Sequence, residues 1–116
     1  MEIREHIDQD VVIVELRGTL HSETDANLLR DRIYECVGKN RNRLVFDLLQ
    51  LSYINSWGLG LLIALLNMVR KNGGDLRLAR VGGQVHNLFI VTQLSKAFLT
   101  FEGVQEAVKS FGKINS

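Results

Sequence analysis

Hydrophobic residues recur along this chain at two alternating periods. Residues 11–16 form a β-branched run. Val12, Val14 and Leu16 fall on one face, while Glu15 and Arg17 leave the other face polar toward its end. Residues 3–6 suggest a partner strand, joined through the polar turn Asp8-Gln9-Asp10, and Gly18 is expected to break the strand. The period then changes. Ser22-Glu23-Thr24-Asp25 marks a helix start, with Ser22 as cap and acids where the helix dipole favours them. Ala26, Leu29, Ile33, Cys36 and Val37 follow at helical spacing, and Gly38 and Asn40 stop the helix.

Leu44-Val45-Phe46 reads as a strand buried on both faces and ended by Asp47. Leu51, Tyr53 and Ile54 lead into Asn55-Ser56-Trp57-Gly58-Leu59-Gly60. From Leu59 to Val69 nearly every position is apolar, with a basic last turn at Arg70-Lys71 and a glycine stop at Gly73-Gly74. That helix is either central or has a face waiting for a partner. Residues 76–81 alternate with period two, which predicts a strand with one wet face. Val85, Leu88, Phe89, Val91 and Leu94 suggest a short helix, residues 98–101 a short strand, and Val104, Ala107, Val108 and Phe111 a final helix. The order β-β-α-β-α-β-α-(β)-α describes an α/β sheet with parallel pairs joined by crossover helices.

The 116 residues suggest a single domain over 1–116. Lys+Arg is 14 and Asp+Glu is 13, a net charge of +1, so no single-signed field supports binding to nucleic acid or an anionic membrane. The longest apolar stretch, Trp57 to Leu66, is too short for a membrane-spanning helix, which needs about 20 residues. The start of the chain is charged and has no signal-like apolar region. The lone Cys36 reads as a small buried hydrophobe in a reducing compartment. A cytoplasmic protein is the expectation.

Catalytic chemistry finds no support. His6, His21 and His86 lack metal-ligand spacing, and His86 reads as a structural histidine. Gly58-Leu59-Gly60 lacks the third glycine of a dinucleotide fingerprint and a phosphate-binding lysine follows nowhere. Those small residues instead let the helix start press close to the sheet. No nucleophile, base and orienting group can be assembled, so no enzyme, catalytic residue, metal or cofactor is expected. Ser56 lies at a strand-to-helix turn, where a hydroxyl can cap the helix and a phosphate is tolerated electrostatically. Of the two, the residues favour the cap. Trp57 beside two glycines either packs over the sheet edge or stands out as an interface anchor.

The segment from Leu44-Val45-Phe46-Asp47-Leu48 through Tyr53-Ile54-Asn55-Ser56-Trp57-Gly58-Leu59-Gly60, then an apolar helix running to Gly73-Gly74-Asp75-Leu76-Arg77-Leu78, resembles the STAS domain of bacterial anti-sigma factor antagonists. Leu16-Arg17-Gly18-Thr19-Leu20, residues 92–98 and Val104-Gln105-Glu106-Ala107 match its other landmarks. The resemblance implies a mixed sheet of four or five strands, with about four helices packed largely on one side. It also implies a small cytoplasmic switch protein. In that family the unphosphorylated antagonist binds an anti-sigma factor that is also a serine kinase. Phosphorylation of a Ser or Thr at the helix start breaks the complex by driving charge into a packed interface.

The chain departs from that pattern at the switch. The family segment typically reads Asp-Ser-Ser/Thr-Gly-Leu-Gly. Here the acceptor position is Trp57, the preceding acid is Asn55, and a second family aspartate falls at or near His21. The resemblance therefore implies a partner surface of His21, Asn55, Ser56, Trp57, Gly58 and Leu59, without the usual phosphorylation. Ser56 is a displaced acceptor only: one step along a helix turns a side chain by roughly 100°. The leading expectation is a protein-binding module for a serine-kinase-type anti-sigma factor. The alternatives are a ligand-sensing STAS domain and a self-associating scaffold, such as a homodimer, in another signalling or transport assembly.

Overall fold

The computed structural model describes residues 1–112. Two strands, β1 (Glu2–Asp8) and β2 (Val11–Leu20), form an antiparallel pair in which Glu2 faces Arg17 and Asp8 faces Val11. Helix α1 (Glu23–Gly38) crosses to β3 (Arg43–Asp47), and β4 (Leu51–Ile54) follows after a short turn. Helix α2 (Ser56–Lys71) leads to β5 (Asp75–Ala79), α3 (Gly83–Val91) and a single 3-10 turn at Leu94–Lys96. The two-residue β6 (Thr100–Phe101) and α4 (Val104–Lys109) complete the order. The sheet runs β1-β2-β3-β5-β6, parallel beyond the first pair, with β4 alongside the end of β2. It thus has six strands, where four or five were expected. The additional strand is β4.

Strand β4 shows no period of two because it has four residues and only its ends, Leu51 and Ile54, are buried. Its partner also defied expectation. Gly18 does not break β2. It adopts a φ of +101°, open to glycine, and pairs with Leu51 of β4, the register of that pairing shifting between Gly18 and Thr19. The strand therefore continues to Leu20.

The two faces of the sheet are covered unequally. Val12, Val14 and Leu16 of β2, with Leu44 and Phe46 of β3, pack under α1, α2 and α3. Val11, Ile13, Val45 and Ala79 pack under Ala107 and Val108 of α4. Leu44-Val45-Phe46 is buried on both faces, as its apolar run predicts. The second face of β5 is only partly wet: Ala79 lies beneath α4, and the Arg77 guanidinium sits 4.0 Å from the centre of the Phe111 ring. Cys36 is buried in the α1 side of the core, and burial pushes its thiol pKa up. The apolar spacing that extends α3 to Leu94 overshoots, since Leu94 opens the separate 3-10 turn. The helix ends at Val91, which is 80% exposed.

Candidate functional site

The C-terminal ends of β2 and β4 lie side by side, with Leu20 paired to Ile54. Asn55 follows β4 directly and organises the turn into α2. Its backbone is extended (φ −100°, ψ 178°), and its side-chain oxygen accepts a hydrogen bond from the Gly58 N–H at 2.8 Å. Asn55 is thus the N-cap of α2, the role assigned to Ser56 from the sequence. Asn caps as well as Ser does, so residue type could not locate the cap to within one position. Ser56 becomes the first residue of the helix and is exposed. At the start of α1 the same reasoning holds: Ser22 is the cap, with its hydroxyl accepting from Asp25 N–H at 3.2 Å.

The cap also ties together residues distant in sequence. The Asn55 amide nitrogen donates to the His21 carbonyl at 3.3 Å, and the Asn55 N–H donates to the Leu20 carbonyl at 3.4 Å. His21 is exposed and meets Tyr53 edge to face, with ring centres 6.1 Å apart. Tyr53 is 43% exposed and Trp57 is 48% exposed. Three aromatic rings thus border the mouth of α2. The open question at Trp57 resolves toward solvent: the indole lines a cavity of about 370 Å³ between α1 and α2, shared with Arg30, Ser56, Gly60, Leu61 and Ala64.

Gly58 and Leu59 hold the site rather than present it. Leu59 is 1% exposed. A Cβ on Gly58 would lie 2.5 Å from the Leu20 carbonyl oxygen and 2.9 Å from Ile54, so glycine lets α2 close onto the β2–β4 ends. Gly60 makes no such approach, since nothing lies within 4 Å of the position its Cβ would take. The pair of glycines was expected to act together, and only the first does.

Two contributors were invisible in the sequence. Tyr53 joins His21 only because β4 pairs with β2. Gln84 of α3 accepts from the Ile54 N–H at 3.0 Å and donates to the Ile54 carbonyl at 2.8 Å, so its amide continues the sheet at the open edge of β4. Nothing in the α3 pattern distinguishes Gln84 from a surface residue. His86 is exposed and lines a different cavity with Arg80, Phe89 and Phe101, contrary to its reading as a structural histidine. Among the described residues no three His, Cys, Asp or Glu side chains gather as metal ligands would, and no helix is long and apolar enough to cross a membrane.

Comparison with known proteins bears on the family and the fold. The anti-sigma F factor antagonist of Paenibacillus polymyxa is 25% identical over 109 residues, which span 93% of this chain and 91% of that one. An anti-sigma factor antagonist from Mycobacterium paratuberculosis superposes with a TM-score of 0.82 at 22% identity, covering 94% of this chain and 92% of that one. The phosphorylated form of the Bacillus cell fate determinant SpoIIAA superposes with a TM-score of 0.74 at 16% identity, covering 95% and 99% of the two chains. The family model of the STAS domain matches residues 2–107, and the chain belongs to the STAS domain family.

Proposed function

We propose that this chain acts as an anti-sigma factor antagonist and does so by binding, not by catalysis. Its partner is an anti-sigma factor of the serine-kinase type. The contact surface is formed by His21, Tyr53, Asn55, Ser56 and Trp57 at the mouth of α2. The observation that carries this reading is the exposure of Trp57 at the position where the family pattern places its phosphoacceptor. An indole left half in water at the start of a helix, beside an exposed Tyr53 and His21, suits an interface anchor. Named relatives support the partner class, since the Paenibacillus polymyxa protein is an antagonist of an anti-sigma factor.

Trp57 carries no hydroxyl, so the usual switch is missing in this reading. Two negative charges at this position would disrupt a packed interface. With an indole there, the complex is constitutive and is governed by partner supply. Ser56 does not replace the acceptor, because it stands one step round the helix at a different angle.

The test is the affinity of purified wild type and Trp57→Ala for the anti-sigma factor of the same cell, measured by calorimetry. Truncation of an anchoring Trp is expected to weaken binding by about 2 kcal/mol or more, roughly 30-fold. Equal affinities for the two proteins contradict the assignment of Trp57 as the anchor.

A further inference from the structure

Gln84 stands in the first turn of α3, outside the surface formed by His21, Tyr53, Asn55, Ser56 and Trp57, yet it holds the strand residue that leads into that surface. Its side-chain oxygen accepts from the Ile54 N–H at 3.0 Å, and its amide nitrogen donates to the Ile54 carbonyl at 2.8 Å. Ile54 is fully buried and directly precedes the Asn55 cap. Its peptide groups face the side of β4 that has no neighbouring strand. Buried peptide groups left unpaired are costly, and one primary amide supplies the acceptor and the donor that this residue needs. The bonds on the β2 side are longer. There the Asn55 N–H reaches the Leu20 carbonyl at 3.4 Å and the Asn55 amide reaches the His21 carbonyl at 3.3 Å. The firmer hold on this turn therefore comes from α3. Helix α3 itself starts at Gly82 without a side-chain cap, so the Gln84 amide serves β4 and not its own helix. Gly83, directly before it, takes a φ of +57°, a conformation open to glycine.

We propose that Gln84 is a positioning residue for the partner surface. It fixes Ile54 from the α3 side, and with it the place of the Asn55 cap, the hydrogen bond from the Gly58 N–H and the direction in which Trp57 projects. The inference rests on the reading of Trp57 as an anchor and extends it, because affinity then depends on a residue outside the contact surface. The route is preorganisation: a turn that spends less time in its binding conformation binds more weakly by that fraction.

Gln84→Met keeps the length of the side chain and removes both hydrogen bonds. Asn87→Met, at an exposed position of the same helix, is the control. In NMR spectra Gln84→Met is expected to move the Gly58 amide and the Trp57 indole N–H and to speed hydrogen exchange at Ile54. The amides of Val45 and Phe46 in β3 stay protected, whereas a general loss of stability would speed their exchange too. Gln84→Glu, which at neutral pH keeps an acceptor and loses the donor, is expected to move the same signals. Affinity of Gln84→Met for the anti-sigma factor of the same cell is expected to fall roughly tenfold, and that of Asn87→Met to stay at the wild-type value. Unmoved Gly58 and Trp57 signals in Gln84→Met overturn the proposal, as does equal movement in Asn87→Met. Moved signals with full affinity overturn the link from Gln84 to the partner. If the wild type does not bind the anti-sigma factor, the partner reading fails alone, and the Gly58 and Trp57 signals still decide the positioning role. Should Gln84→Met not fold, the wild type decides: the Ile54 amide is expected to be protected although no strand lies beside it, and exchange at the unprotected rate overturns the proposal.

Discussion

Ser56 and Trp57 differ by one step along α2, and at residue scale that step decides what the site can do. The cap falls on Asn55, so the helix begins at Ser56, and the indole rather than a hydroxyl occupies the second helical position. The residues in this turn were legible from the sequence, but their division of labour was not. Cap preference barely separates Asn from Ser, and exposure of Trp57 depends on how α1 packs beside it. The glycines show the same limit. Gly58 and Gly60 look alike in sequence, yet only Gly58 faces backbone at a distance that excludes a Cβ. Gly58→Ala is therefore expected to destabilise the fold by about 1–3 kcal/mol, because Leu20 must move. Gly60→Ala removes a flexible residue from an open helical position and is expected to stabilise by about 0.5–1 kcal/mol. Thermal or urea unfolding of the two variants checks both signs.

At the scale of elements, long periodic segments announced themselves and short ones did not. Helices α1 and α2 and strands β2, β3 and β5 follow from spacing alone, because a buried face imposes its period over many residues. Strand β4 has no room for a period, and its placement depends on the bulge at Gly18 and on the Gln84 side chain closing its edge. The junction between α2 and β5 was also hidden. Asp75 receives Arg70 from the last turn of α2 and Arg77 from its own strand. Burial raises the Asp75 carboxyl pKa, but these hydrogen bonds and the Arg70 charge outweigh it, and the pKa lies below the ordinary carboxylate value. A carboxyl depressed in the folded state stabilises above its unfolded pKa, and that stability is lost as pH falls through the folded value. The wild type is therefore expected to lose stability below about pH 4. Asp75→Asn should be less stable at pH 7 and show a shallower loss over that acid range. Urea midpoints at pH 7 and pH 3 measure the difference, and parallel pH profiles for the two proteins contradict the role given to Asp75.

For the whole molecule, the sheet separates two surfaces by the length of α2, about 24 Å for its 16 residues. One end carries His21, Tyr53 and Trp57, and at the other Arg70 and Arg77 bind Asp75. A near-zero net charge concealed this second feature, because composition counts charges and not their placement. The proposed function belongs to the first end, where Trp57 would serve as a fixed anchor in place of a phosphorylation switch. Its most direct test is to form the complex of wild-type protein with the serine-kinase-type anti-sigma factor of the same cell. ATP and magnesium are then added, and complex and intact mass are followed over time. Under the proposed function the complex is expected to persist, and the mass of this chain is expected not to change. Addition of a phosphoryl group at Ser56 with release of the partner would contradict it.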